Sequence, residues 1–109
     1  MPRVLTSGPN LYILNTMDAV YTRDPDVIFR AIADEFILVP IRQKAVDLKS
    51  VYTLNQTGAF IWGLIDSSRS VSQIKDRVAE EFEVEPGQAR DDVLELVSQL
   101  EALGLIKKT

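Results

Sequence analysis

The spacing of apolar residues along the chain changes from alternation to a helical repeat near residue 55. Before that point, VIFRAIADEFILVPI is rich in β-branched and aromatic residues and is divided by Asp34-Glu35. This pattern predicts two strands, about 27–33 and 36–41, joined by a tight reversal. A third strand is predicted over 45–54, where the apolar residues share one parity: Val46, Leu48, Tyr52 and Leu54. The three strands predict an antiparallel sheet.

Three helices are predicted after the sheet, and each has a boundary signal. The first covers 55–65, with Asn55 suited to its N-cap. Residues 70–73 (SVSQ) fit a capping box for the second helix, and Pro86 suits the first position of the third. Gly104 is well placed to end the third helix. Their apolar positions repeat at helical spacing: Phe60, Ile61, Leu64 and Ile65; Val71, Ile74, Val78 and Phe82; Ala89, Val93, Leu96, Val97, Leu100 and Leu103.

The first helix combines bulky apolar side chains with two glycines, Gly58 and Gly63. A glycine weakens a helix by about 1 kcal/mol relative to alanine. A short helix between a sheet and two other helices must be apolar on nearly all sides, and it must be thin where a neighbouring backbone approaches. We therefore predict a packing role for both glycines and burial for Trp62.

The predicted fold class is α+β: a three-stranded antiparallel sheet followed by three helices, similar to a winged helix-turn-helix. Asp24-Pro25-Asp26 is a strong turn signal and sets the predicted domain at 24–109. Residues 1–23 are predicted to form an N-terminal arm. Leu11–Leu14 has strand character with weak flanking signals, so the arm is either flexible or covers a free edge of the sheet.

Composition argues against catalysis. The 109 residues include no cysteine and no histidine, which removes thiolate nucleophiles, zinc–sulfur sites and the commonest general base. The string GAFIWG lacks the lysine of a phosphate-binding loop and is filled with bulky side chains. We predict no catalytic residue, no metal and no cofactor. With neither a membrane-length apolar run nor a signal peptide, a cytoplasmic location is expected.

Charge argues against DNA binding, although the predicted topology suggests it. Residues 86–104, which would form the recognition helix, carry one base against four acids, a net charge of −3. Residues 71–83 carry two bases against four acids, and the whole chain has a net charge of −4. A DNA-binding surface needs several cations to neutralise phosphates. No nucleic-acid partner is therefore predicted.

An ordered set of motifs resembles the PqqD family, the small peptide chaperones of pyrroloquinoline quinone biosynthesis. The set is a strand ending in Leu54-Asn55, an apolar helix with glycine and tryptophan, Asp66, Arg69-Ser70-Val71 with Ile74, EEFEV at 80–84, Asp91-Asp92, and LEALGLI at 100–106. The resemblance covers about residues 24–106. Two features differ from the usual pattern: Asp66-Ser67 replaces Asp-Gly, which suggests a longer or reshaped turn, and the N-terminal arm is longer. They indicate a divergent relative.

The resemblance implies a peptide-binding module. In such proteins, the leader segment of a ribosomally made precursor peptide adds as a strand beside the third strand, against the third helix. The leader is thereby presented to a modifying enzyme, often a radical SAM protein. The pathway is either pyrroloquinoline quinone biosynthesis or another modified-peptide pathway. The alternative function is a winged-helix regulator or a generic protein-interaction module.

The sequence agrees with this binding mode at two places. Strand 45–54 is last in the predicted meander, so one edge is free unless the arm covers it. On the third helix, a second row is predicted to lie beside the core stripe. The predicted peptide-binding residues are Leu48, Lys49, Ser50, Val51, Tyr52, Thr53, Arg90, Leu94, Val97 and Glu101.

Simpler roles stay open for the same residues. Leu48 and Tyr52 have the parity of core residues, and Lys49 and Val51 fit a solvated edge. Leu94 is also compatible with a contact to the first helix or to a second copy in a homodimer.

Overall fold

The computed structural model describes residues 16–41 and 51–109. It has an α+β fold in which a three-stranded antiparallel sheet precedes three helices, as predicted. In chain order the elements are β1 (Tyr21–Arg23), β2 (Val27–Ile32), β3 (Glu35–Pro40), β4 (Tyr52–Leu54), α1 (Gln56–Leu64), α2 (Val71–Phe82), α3 (Pro86–Ala102) and β5 (Ile106–Lys108).

The main sheet has the strand order β2-β3-β4, with both neighbouring pairs antiparallel. Ile32 pairs with Glu35, which leaves Ala33 and Asp34 as a two-residue turn. The predicted strands 27–33 and 36–41 are therefore confirmed to within one residue at each end. Of the third predicted strand, Tyr52–Leu54 is strand, and Val46, Leu48, Lys49 and Ser50 lie outside the described residues.

One face of this sheet covers the core. Leu38, at the centre of β3, is fully buried, and its cross-strand partners Phe29 and Tyr52 pack against the core from either side. The rings of Phe29 and Phe36 stack with their centroids 6.0 Å apart on the same face. Because successive strand residues point to opposite faces, Thr53 directs its side chain away from this core, in agreement with its exposure.

A second, two-stranded sheet was not predicted from the sequence. In it, β1 pairs antiparallel with β5, which joins residues more than eighty positions apart, such as Tyr21 and Lys108. Just before β1, Val20 forms an isolated bridge with Ser70, and Thr16 is buried. Residues 16–23, which the sequence analysis assigned to an arm, are therefore part of the folded domain. Leu11–Leu14 lies outside the described residues.

The ends of the helices have the predicted caps. The Asn55 side chain accepts a hydrogen bond from the Gly58 N–H at 2.7 Å, and Ser70 and Gln73 form a complete capping box. At the end of α3, Gly104 has φ 76°; its N–H donates to Glu101 O, and the Leu105 N–H donates to Leu100 O, both at 3.0 Å. These two bonds form a Schellman motif, in which glycine adopts the left-handed conformation with no steric penalty.

The turn after α1 keeps the conformation that glycine favours, although Ser67 occupies the position. Ser67 has φ 70°, and its N–H donates to Tyr21 O at 3.1 Å. The backbone is left-handed here, and serine bears the steric cost of its Cβ. The expectation that Asp66-Ser67 lengthens or reshapes this turn stays a prediction.

The core lies between the sheets and the helices, and it includes Trp62, which is 3% exposed as predicted. The two glycines of α1 have different surroundings. A Cβ on Gly58 would lie 3.2 Å from Asn55 Oδ1 and 3.3 Å from Leu54 Cδ2, so the space there is tight, but side chains and not the expected neighbouring backbone make it so. Gly63 is exposed, and a Cβ on it would meet no atom within 4 Å. The packing explanation is therefore wrong for Gly63.

Candidate functional site

β4 is an edge strand of the main sheet. It pairs with β3 on one side, and within residues 16–41 and 51–109 no strand pairs with its other side. An edge of this kind presents N–H and C=O groups that a further strand can bind.

The register of the sheet shows which backbone groups face that edge. The Ile41 N–H donates to Asp26 O at 2.8 Å, in line with the β2–β3 register. Backbone groups alternate in direction along an antiparallel strand, so the odd residues of β3 face β2 and the even ones face β4. Leu38 and Phe36 thus form the hydrogen-bonded pairs with Tyr52 and Leu54. It follows that Thr53 directs its N–H and C=O groups to the open edge. The same alternation, continued by one residue to Val51 just before β4, places the Val51 backbone groups at that edge too.

A cleft of about 290 Å³ begins directly after β4, between the start of α1 and the middle of α3. The lining residues are Asn55, Thr57, Gly58 and Ile61 on the α1 side and Asp92, Glu95, Leu96 and Gln99 on the α3 side. The apolar residues of the lining are Ile61, which is 1% exposed, and Leu96, which is partly buried against the core. The cleft is therefore largely polar, with an apolar patch that Leu96 mainly provides.

The charged residues that line this cleft, Asp92 and Glu95, are both acidic. Asp92 accepts a hydrogen bond from Gln88 Nε2 at 2.9 Å, which holds its carboxylate without neutralising it. The nearest base on the same helix, Arg90, pairs instead with Asp91 at 3.1 Å. The negative charge of α3 noted in the sequence is thus partly concentrated at the cleft.

Three of the residues predicted on the third helix lie on its other flank. An α-helix turns by about 100° per residue, which puts Arg90, Leu94 and Glu101 about 120–180° from Asp92 and Leu96. In agreement, Glu101 Oε1 accepts a hydrogen bond at 3.1 Å from the hydroxyl of Tyr21 in β1.

The fourth of those residues, Val97, is 1% exposed and belongs to the core. The predicted row Arg90–Leu94–Val97–Glu101 is therefore not the wall of this cleft.

The predicted binding residues of the third strand differ in their exposure and in the direction of their backbone groups. Thr53 is exposed and Val51 half-buried, with their backbone groups at the open edge, whereas Tyr52 packs against the core. Leu48, Lys49 and Ser50 lie outside the described residues.

The residues of α3 that line the cleft were not predicted as binding residues. Leu96 was assigned to the core stripe, Asp92 and Glu95 entered only the charge count and, for Asp92, the family resemblance, and Gln99 was not singled out. Periodicity locates the apolar stripe of a helix, but it does not say which flank of that stripe a neighbouring helix leaves open. In the sequence, the feature that pointed towards the cleft was the Asn55 cap next to Gly58, because both residues form the α1 wall, opposite α3.

A second hollow, of about 410 Å³, lies at the other end of α1, among β1, β2 and the turn after α1. The Arg23 guanidinium lies over the Trp62 ring there, 5.8 Å from its centroid, and Arg23 Nη1 reaches Trp62 O at 3.5 Å. A cation over an indole ring is a stabilising contact. We regard this hollow as a structural junction between the two sheets.

In the turn after α1, the Asp66 carboxylate interacts with the side chains of the residues that follow it. The Ser68 hydroxyl donates to Asp66 Oδ1 at 2.7 Å, and the Arg69 guanidinium pairs with Oδ2. The hydrogen bond from Ser68, with a smaller contribution from Arg69, lowers the pKa of the Asp66 carboxyl below its ordinary value of 3.8. The carboxylate organises this turn by accepting from its own neighbours, as in an Asx turn.

Within residues 16–41 and 51–109, no group of three or more acidic, histidine or cysteine side chains is arranged to hold a metal ion. Among the same residues, no helix has the length and apolarity required to span a bilayer.

Two solved structures are similar to this chain in fold. One is TbiB1 in complex with the TbiA(beta) leader peptide, at 20% identity and a TM-score of 0.64, covering 79% of this chain and 94% of that one. The other is lasso peptide synthetase B1 complexed with the leader peptide, at 22% identity and a TM-score of 0.66, covering 82% of this chain and 99% of that one.

No curated protein sequence matches the chain. Residues 35–106 match the family described as coenzyme PQQ synthesis protein D (PqqD). The matched range extends from the start of β3 to the start of β5, and so it contains the edge strand, all three helices and the cleft. The chain belongs to the PqqD family.

Proposed function

We propose that this protein binds the leader segment of a ribosomally made precursor peptide by adding it as a strand to β4, and that it presents the peptide to a modifying enzyme. The observation that carries the proposal is the outward direction of the Val51 and Thr53 backbone groups at the open edge of β4, a strand that is followed directly by Asn55 in the wall of the cleft. Strand addition uses such an edge for affinity and neighbouring pockets for specificity.

The comparisons support this choice of ligand. TbiB1 and lasso peptide synthetase B1 share the fold, and each is bound to a leader peptide. We assign no catalytic step to the chain itself, so chemistry on the bound peptide requires a second protein. A radical SAM enzyme is the partner class that membership of the family suggests. The acidic α3 supports this function over binding to duplex DNA.

Backbone pairing alone leaves little affinity. Val51 and Thr53 together offer two N–H and two C=O groups, and each hydrogen bond contributes roughly 0.5–1.5 kcal/mol net. Ordering a disordered peptide costs about 2–5 kcal/mol, which offsets most of this gain.

Apolar side chains in the cleft must therefore provide most of the affinity. Full burial of one such side chain contributes about 1.5–3 kcal/mol. Two or three anchors against Ile61 and Leu96 would bring the complex to about micromolar affinity.

Selection of peptides followed by hydrogen exchange tests the proposal. A displayed library of short random peptides is selected against the full chain, and amide exchange is compared with and without a selected peptide. We expect slower exchange at Val51 and Thr53, because their N–H groups become paired. Failure to select any peptide, or protection confined to another surface, would refute the proposal.

A further inference from the structure

The acidic wall of the cleft specifies the chemistry of the leader segment. We infer that the bound segment carries lysine or arginine at positions that lie an even number of residues from its apolar anchors, so that both kinds of side chain face the cleft. Asp92 and Glu95 select for these basic residues. This inference rests on the proposed function, because it takes the cleft beside β4 as the binding site.

The pairing of strands in the sheet determines which leader side chains face the cleft. Residues directly opposite one another in a sheet point to the same face. Tyr52 and Leu54 direct their side chains towards the core, so the leader residues opposite them point to the same side, where α1 and α3 form the cleft. The intervening leader residues lie beside Val51 and Thr53 on the other face. Only every second leader side chain therefore meets the cleft.

The chemistry follows from the lining. The apolar patch at Leu96, above the buried Ile61, suits an aliphatic or aromatic anchor. Among residues 16–41 and 51–109, Asp92 and Glu95 are the charged residues of the lining, and no base lines the cleft with them. A leader carboxylate on this parity would meet two like charges, whereas a lysine or arginine lying over the apolar floor would place its charge at the rim. We thus expect apolar and basic residues at every second position of the segment, which are the positions that face the cleft.

The test compares matched peptides on matched variants. The parent peptide is one obtained by selection against the full chain, and its cleft-facing basic residues are replaced by glutamine and by glutamate. Each peptide is titrated against the wild type, against the Asp92→Asn/Glu95→Gln variant, and against an Asp91→Asn/Glu101→Gln control. The control removes the same charge from the same helix, but neither of its residues lines the cleft.

We expect lysine or arginine to be enriched at one parity of the selected peptides, and replacement by glutamate to weaken binding to the wild type by about tenfold. Partly exposed ion pairs change affinity by about two- to fivefold each, and reversal of charge adds repulsion to the loss. In the Asp92→Asn/Glu95→Gln variant the difference should fall to about twofold or less, and in the control it should stay near tenfold.

The outcomes separate this inference from the proposed function. If selected peptides protect Val51 and Thr53 but show no basic preference, or a preference unaffected by the cleft variant, the inference is refuted and strand addition stands. If no peptide is selected, or protection appears elsewhere, both are refuted. Equal losses in the cleft variant and the control would assign the preference to the overall charge of α3, which also refutes the inference.

Discussion

Proline at position 53 tests the binding edge directly. The register directs the Thr53 N–H to the open edge, so Thr53→Pro removes no hydrogen bond between β4 and β3. Proline is tolerated on edge strands when its missing N–H would face outward. Thr53 is also exposed, so the substitution buries nothing new. The variant should therefore fold.

The cost to peptide binding can be worked from the same geometry. Thr53→Pro deletes one of the two N–H groups that an added strand would use, a loss of roughly 0.5–1.5 kcal/mol. Because the peptide carbonyl that this N–H would have paired is left buried against the proline ring, the loss rises to about 1–3 kcal/mol in all. Since 1.4 kcal/mol corresponds to a factor of about ten, we expect affinity to fall about five- to a hundredfold.

Fluorescence anisotropy with a labelled selected peptide measures the affinity, and thermal unfolding followed by circular dichroism measures stability. Thr53→Val is the matched control, because it keeps the N–H and the β-branched shape. Tyr52→Pro is the opposite case: its N–H faces Leu38, so this substitution should unfold the sheet edge. A folded Thr53→Pro variant that binds within twofold of the wild type would show that the peptide does not pair with this edge.

Three further predictions concern stability. Gly63→Ala should raise the free energy of unfolding by about 0.5–1 kcal/mol in chemical denaturation, because alanine favours the helix and a Cβ meets no atom within 4 Å; Gly58→Ala should show no such gain, since its Cβ would crowd Asn55 and Leu54. Ser67→Gly should raise the thermal midpoint, with a gain of about 1 kcal/mol, because Ser67 sits at φ 70°; an unchanged or lower midpoint would contradict the steric argument. Asp66 has a lowered pKa in the folded state, so its carboxylate stabilises the fold above the ordinary pKa of 3.8, and this contribution disappears as the pH falls through the folded value. The difference in stability between the wild type and Asp66→Asn should therefore be largest near neutral pH and vanish in acid; a difference that is constant with pH would rule out this linkage.

Local interactions explain the features that the sequence alone determined. The capping box at Ser70, the Asn55 cap and the Schellman glycine at Gly104 each depend on groups within about five residues of one another. The hairpin is equally local, since Ala33 and Asp34 are the only residues between its paired ends. In such features the residue types themselves select the backbone conformation, and no distant partner is required.

Only the tertiary structure decided which surfaces meet. β1 and β5 are three residues each, too short for a periodic signal, and they form a sheet because the fold brings the two ends of the domain together. The flank of α3 that faces the cleft depends on how that helix is rotated against α1. Leu94 and Leu96 both pack against the core, but Leu96 lines the cleft and Leu94, about 160° away around the helix, does not. Gly63 is a similar case. The sequence shows a glycine in a helix, but only the packing shows whether a neighbour lies close to it, and at position 63 no atom does.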